Sequence, residues 1–188
     1  MKANKLSVQR RIIGLFSWGA LLSIALVMNS FAPATKLTDA EIASVAVAAN
    51  KIDVDLGKMA KEKSKKQDVI NFANLMVKDH QGVIDESNAL VKRLKVVPKE
   101  NDLTRKLNSD ADVAKRLLST KTSADFDKAY IDREVTFHKD VIKTMQEVLI
   151  PQAQNAELKA FLQKIMPTLK SHLAHAEMIQ KNLGGKKM

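Results

Sequence analysis

Apolar and polar positions follow the period of an amphipathic α-helix over most of this chain. From residue 39 onward, apolar side chains recur at spacings of three and four residues. The pattern predicts four long helices, at about residues 39–63, 65–94, 124–149 and 156–182, and a shorter helix at about 103–118. Because short turns join the first pair and the last pair, the sequence predicts an all-α, up-down four-helix bundle with a short extra helix in the middle connection.

Sequence signals at the helix ends support these boundaries. Thr38 followed by Glu41 forms a capping-box pattern before the first helix, and Ser64 followed by Gln67 repeats it before the second. Asn155 is a candidate cap for the last helix. We expect the short extra helix to pack its apolar residues against one end of the bundle; these are Leu103, Leu107, Val113, Leu117 and Leu118.

The first 34 residues have the order of a secretory signal peptide. Four basic residues and no acid precede an apolar run at 12–28, and small residues follow, ending at Ala34. Cleavage there would leave a bundle domain of residues 35–188. The apolar run is also close to the lower length of a spanning helix, so an uncleaved anchor is the alternative. The sequence therefore predicts an exported, periplasmic domain, with membrane anchoring as the second interpretation.

The charge and the composition of the chain limit the classes of molecule that it is expected to bind. The formal charge is +10, and without the four positive charges of the leader it is 10 − 4 = +6. A lysine-rich run at 61–66 predicts either a solvated helix surface, which we favour, or contact with an anionic envelope surface. The chain has one Tyr and one Trp, and Trp18 lies in the leader, so we expect no nucleic-acid binding. There is no cysteine, which excludes disulfides and thiolate metal ligands.

Three of the four histidines fall at similar depths on three of the long helices. If helix directions alternate along the chain, His80, His138 and His172 lie about 22, 17 and 26 Å from one end of the bundle. Asp53 lies about 15 Å from the same end on the first helix. The sequence therefore predicts a layer of three imidazoles and one carboxylate at mid-height.

Such a layer suits one divalent transition metal ion, because imidazole and carboxylate oxygen both bind these ions. The candidate ligands are His80, His138 and His172, with Asp53 or Glu134. Asp79 and Glu134 are either ligands or groups that orient a ring, and Met76 would make a softer site that suits copper. His175 lies off the apolar face and is expected at the surface or beside the site. The alternative is that each histidine is an ordinary core residue, hydrogen-bonded to Asp79, Glu134 or Tyr130.

Four segments together resemble a bacterial family of exported, ferritin-like proteins of unknown function, often labelled outer membrane proteins. They are residues 53–60 (DVDLGKMA), 72–80 (FANLMVKDH), 126–130 (FDKAY) followed by His138, and 166–172 (MPTLKSH). The resemblance covers about residues 39–183 and implies a periplasmic four-helix bundle without a settled activity. The matching positions are Asp53, Asp79, His80, Asp127, Tyr130, His138, Pro167 and His172. The family more usually has Glu where Asp53 stands.

The resulting prediction is a periplasmic metal-binding bundle that serves in metal handling or stress protection. A metal-free envelope protein that acts through its basic surface is the alternative. An enzyme would need an open coordination position and a substrate pocket, and the sequence indicates neither. The Glu-x-x-His pattern of di-iron bundles is absent from the sequence. The metal's identity and the oligomeric state stay open.

Overall fold

The computed structural model describes residues 36–185, and within that range all regular secondary structure is helical. This confirms the predicted all-α bundle. The elements are α1 (Asp39–Lys63), α2 (Gln67–Leu94), α3 (Asp102–Ser119), α4 (Ser123–Thr144), a π-helical turn (Met145–Leu149), α5 (Ile150–Gln152) and α6 (Ala156–Gly184). The predicted signal peptide lies outside the described residues. Among the described helices, none has the length and apolar character needed to span a bilayer.

Two helical hairpins build the bundle. α1 packs along α2, α4 packs along α6, and the hairpins face each other through α1–α4 and α2–α6 contacts. We call the end with the α1–α2 turn the upper end. One buried apolar cluster fills the upper half around Phe72, Phe126 and Tyr130, and a second fills the lower half around Leu149 and Leu162. The buried polar side chains of the candidate site lie between these two clusters.

α3 runs along the whole length of α1. At the lower end, the side-chain amide of Asn101 donates to the carbonyl of Glu41 at 3.1 Å. At the upper end, the ammonium of Lys63 donates to the carbonyl of Leu118 at 3.3 Å. The prediction that α3 packs at one end of the bundle is therefore wrong, and two residues expected to be buried there, Val113 and Leu117, are 45% and 59% exposed.

Because α3 crosses from the lower to the upper end, α4 begins at the upper end and runs in the same direction as α2. Accordingly, the Lys63 ammonium lies 5.5 Å from the ring centroid of Phe126 near the start of α4. At the lower end, the Asp39 carboxylate accepts from the amide of Asn155 at 3.0 Å. The four long helices therefore do not alternate in direction along the chain as expected. α1 and α6 are antiparallel to α2 and α4, whereas α3 runs parallel to α1. The depths of His138 and His172 must be counted from the opposite ends of their helices.

Counted in this way, the three histidines still share one layer. His80, His138 and His172 lie about 20, 22 and 18 Å below the upper end, and Asp53 about 15 Å below it. The agreement survives the reversal because each residue lies near the middle of its helix, where both ends are almost equally distant.

Two of the three predicted helix caps form. The Asn155 side chain accepts from the amides of Glu157 at 2.9 Å and Leu158 at 3.1 Å at the start of α6. Thr38 and Glu41 form the predicted capping box: the Thr38 amide donates to the Glu41 carboxylate at 2.9 Å, and the Glu41 amide donates to the Thr38 hydroxyl at 3.3 Å. The Ser64–Gln67 box does not form. Ser64 instead ends α1, and its hydroxyl accepts from the Lys66 amide at 3.1 Å, which shapes the turn to α2.

Two helical glycines should respond to alanine in opposite directions. A Cβ at Gly57 would lie 2.9 Å from Val77 Cγ2 and 3.2 Å from the Ala73 carbonyl, where α1 and α2 pack closely, whereas a Cβ at Gly82 meets nothing within 4 Å. We expect Gly82→Ala to stabilise the fold by about 0.5–1 kcal/mol, because alanine loses less backbone entropy. Gly57→Ala should destabilise it by about 1–3 kcal/mol through overpacking. Urea denaturation measures both, and equal stabilisation by the two variants would contradict the close packing.

Candidate metal site

The structure brings His80, His138 and His172 together in the interior. They come from α2, α4 and α6 and are 2%, 1% and 2% exposed. Their ring centroids are separated by 5.6 Å between His80 and His138, 5.1 Å between His80 and His172, and 5.6 Å between His138 and His172. The three rings therefore form one compact triangle rather than three separate core positions.

In each ring, one nitrogen is hydrogen-bonded to a protein oxygen. His80 Nδ1 lies 2.7 Å from Asn50 Oδ1, and His138 Nδ1 lies 3.0 Å from the carbonyl of Glu134. His172 Nε2 lies 3.0 Å from Asp79 Oδ2. These oxygens only accept, so the ring nitrogen that faces each one carries the proton and donates. In a neutral imidazole, the other nitrogen then has a free lone pair.

The other three nitrogens are buried and have no hydrogen-bond partner within residues 36–185; they are His80 Nε2, His138 Nε2 and His172 Nδ1. An unsatisfied buried polar group costs about 1–3 kcal/mol. One nitrogen from each ring lies within 4.8 Å of the others. Nitrogen ligands of one tetrahedral ion, at about 2.0–2.1 Å from it, are about 3.3 Å apart. Movements of up to about 1.5 Å between the nitrogens would therefore let the three rings share one ion.

Two buried carboxylates border this triangle. Asp53 Oδ2 lies 3.4 Å from His80 Nε2, and both atoms are acceptors because the His80 proton is on Nδ1. Arg133 Nη1 donates to Asp53 Oδ1 at 3.0 Å and to Glu134 Oε1 at 2.8 Å. Oxygens of Asp53 and Glu134 also group with a nitrogen of His138 within 4.8 Å. A cation between Asp53 and His80 would satisfy two acceptors that otherwise face each other unpaired.

Burial shifts the protonation of these groups toward their neutral forms. It lowers the pKa of His80 to about 3, with the neighbouring rings of His138 and His172 adding to the effect. Burial also lowers the pKa of His172, against the opposing effect of the hydrogen bond that His172 donates to Asp79. It raises the pKa of Glu134, against the opposing charge of Arg133. Neutral imidazole is the form that binds a metal ion.

The remaining predicted residues lie around the triangle. Asp79 is partly exposed and orients His172 from outside the cluster. Met76 is fully buried in the upper apolar cluster. The ring of His175 packs edge-on against Phe72 at a centroid distance of 5.3 Å, separate from the other three histidines. Asp127 Oδ1 and the Tyr130 hydroxyl are buried without hydrogen-bond partners.

Sequence reasoning missed Asn50 and Arg133. Asn50 is buried on α1, one turn before Asp53, and its amide also donates to the Ala46 carbonyl at 2.7 Å, which fixes the oxygen toward His80. An asparagine on the apolar face of a helix, three residues before a candidate buried aspartate, could have been predicted to lie beside the site. The burial of Arg133 could not be predicted from its neighbours, because a basic residue in a charged helix is usually exposed.

The fold and the site define a class of protein: an all-helical bundle with three imidazoles and two carboxylates buried at mid-height. The chain belongs to the family described as "Domain of unknown function (DUF4142)", whose model matches residues 27–179. This confirms the predicted membership of a family of unknown function. No curated protein matches the chain.

The solved structures that share the fold include the following two. One is a DUF305 protein from Streptomyces coelicolor, provisionally described as secreted, with 10% identity and a TM-score of 0.66 over 78% of this chain and 93% of that one. The other is CopM in its Cu(II)-bound form, with 16% identity and a TM-score of 0.59 over 78% of this chain and 98% of that one. At these identities, the likeness concerns the fold.

The metal-free protein should lose stability as the pH falls below about 6.5. The pKa of His80 drops from 6.5 to about 3 on folding, so between these values the unfolded chain binds more protons. The free energy of unfolding then decreases by up to about 1.4 kcal/mol per pH unit for each such histidine. Urea titrations between pH 7 and pH 5 in the presence of a chelator measure the slope.

A His80→Gln variant isolates the contribution of His80 to the pH dependence of stability. The variant keeps the other titrating groups, including Glu134, whose pKa is raised by burial. The variant should show a smaller slope than the wild type, and His175→Gln should not. An unchanged slope in His80→Gln would contradict the assignment of His80 as a neutral buried base.

Proposed function

We propose that this protein binds one transition metal ion through His80, His138 and His172, with Asp53 as the fourth ligand. The single observation that carries the proposal is the compact triangle of three buried rings. In each ring one nitrogen is held by an oxygen and the other has no hydrogen-bond partner among the described residues. Oxygen acceptors behind metal-binding histidines fix the tautomer and the ring orientation in many metalloproteins. Asn50, Asp79 and the Glu134 carbonyl would have this role here.

Asp53 is favoured over Glu134 as the carboxylate ligand. Its free oxygen lies 3.4 Å from His80 Nε2, close to the separation of about 3.3 Å between two ligands of a tetrahedral ion with bonds of about 2.0 Å. Glu134 contributes its carbonyl to His138 and one carboxylate oxygen, Oε1, to Arg133, and its other oxygen, Oε2, is buried without a hydrogen-bond partner among the described residues. It would act mainly by positioning these two residues.

Copper(II) and zinc(II) are the first ions to test. Three imidazoles and a carboxylate, without thiolate, suit both, and divalent copper binds such ligands more tightly than the other first-row ions. The fold likeness to CopM, which is known in a Cu(II)-bound form, supports copper as the first choice. Four protein ligands would fill a tetrahedral site, which favours metal storage or transfer over catalysis.

The cellular role that fits is metal handling or protection from metal stress in an exported, periplasmic protein. The signal-peptide pattern of the leader supports export, and the provisionally secreted DUF305 neighbour agrees with it. The ferritin-like designation is supported by the single long crossover between α2 and α4. The metal-free envelope function stays the alternative; it depends on the lysine run at 61–66, in which Lys63 is bound to carbonyls at the end of α3.

Histidines of α6 provide a matched test. His172 belongs to the triangle, and His175 lies one turn further on and packs on Phe72. We expect the wild type and His175→Gln to bind one equivalent of Cu(II) or Zn(II), measured by calorimetry and elemental analysis. His172→Gln should bind at least about 100-fold more weakly, because it removes a direct ligand.

The same samples give a second readout. At 100 times the dissociation constant, the ion should stabilise the wild type by about 2.7 kcal/mol. His172→Gln should lose this gain and His175→Gln should keep it. If His172→Gln binds and is stabilised like the wild type, the proposed site is wrong.

A further inference from the structure

The bundle contains a cavity of about 390 Å³ between α1, α3, α4 and α6. Towards the lower end, its wall is mostly apolar and includes Leu103, Leu149 and Leu169. Near mid-height, the wall is formed by Asp53, His80 and Arg133, so the cavity adjoins the candidate metal site. Its size is within the range of pockets that hold small organic ligands.

The cavity exists because of how α3 and the end of α4 pack. α3 is hydrogen-bonded at both ends and presents small side chains, Ala111 and Ala114, along its middle. On the other side, Met145 and Leu149 of the π-helical turn line the wall. π-turns inside helices are frequent at functional sites. The mostly apolar wall suits an occupant with an apolar body.

Arg133 supplies a polar anchor at the mid-height end. Its hydrogen bonds within the described residues both leave from Nη1, to Asp53 and Glu134. A guanidinium has five N–H donors, so Nη2 and Nε remain for a ligand. The guanidinium carbon lies 3.9 Å from the ring centroid of Phe137, which also lines the cavity. A planar guanidinium held in this way suits a carboxylate.

The charges around Arg133 link this anchor to the metal. Without an ion, one arginine faces the two acidic residues Asp53 and Glu134, which disfavours a further anion. A divalent ion at His80 and Asp53 adds two positive charges at the same end of the cavity. An anionic group would then be attracted there.

We infer that the cavity binds a small amphipathic carboxylate, with its apolar body along α3 and its carboxylate on Arg133, and that a bound metal ion strengthens this binding. The inference rests on the proposed metal function and names a second ligand for that site. At roughly 30 Å³ per non-hydrogen atom, the cavity holds about a dozen such atoms. A medium-chain fatty acid fits this volume, and a diacyl lipid does not.

Decanoate is the probe, titrated by calorimetry into Cu(II)-loaded protein and into chelator-treated protein. We expect decanoate to bind the Cu(II)-loaded form at least about tenfold more tightly, within the usual range for coupled sites. By the same linkage, saturating decanoate should tighten Cu(II) binding by an equal factor. Decanol and decylammonium, which lack the negative charge, should show no such preference.

Two α3 variants test the location. Ala111→Phe places a ring in the cavity, and Val113→Phe places one on the exposed face of the same helix. Ala111→Phe should abolish decanoate binding while Cu(II) still binds, and Val113→Phe should change neither.

Cu(II)-loaded wild type that does not bind decanoate, or binds decanol equally well, overturns the inference and leaves the metal site intact. Equal decanoate binding with and without Cu(II) also overturns it, as does unchanged binding in Ala111→Phe. Failure of the wild type to bind Cu(II) at all would instead overturn the proposed function, and the linkage with it.

Discussion

The site depends on one constraint: three imidazole rings are buried between two apolar clusters, and each has a lone pair without a partner among the described residues. In His80, His138 and His172, the protonated ring nitrogen donates its hydrogen bond to a fixed oxygen. The other nitrogen therefore has a free lone pair and no proton to donate. Packing alone gains nothing from this arrangement, because an apolar side chain at each position would avoid the cost of desolvating the ring. A ligand that accepts electron pairs, such as the proposed ion, would offset this cost.

The architecture explains how such a layer is tolerated. The upper and lower apolar clusters bury most of the large side chains and leave the polar groups to one narrow zone. Arg133 reduces the charge of that zone by pairing with Asp53 and Glu134. Asn50 and Asp79 fix two of the rings from α1 and α2. The groups that orient the histidines are thus spread over several helices, so the orientation of each ring is held by the protein itself.

The sequence predicted the helices and the histidine layer. It did not predict the features that depend on packing between residues distant along the chain. Periodicity and caps predicted the helices, because they depend on residues within one or two turns. The convergence of His80, His138 and His172 was predicted although the helix directions were not, since residues near mid-helix have the same depth either way. The path of α3 was missed because its exposed Val113 and Leu117 look like core residues in the sequence. Arg133 and the cavity depend on spacing between helices, which no local pattern encodes.

Asp53, His80, His138 and His172 come one from each of the four helices of the bundle. An ion held by all four would act as a clamp at the centre, joining segments that are distant along the chain. Loss of any single helix from the assembly would remove a ligand and weaken the hold on the ion. Release of the ion would then need only the local displacement of one helix. A chain that lacks one of the four helices would lack one ligand and would bind the ion more weakly.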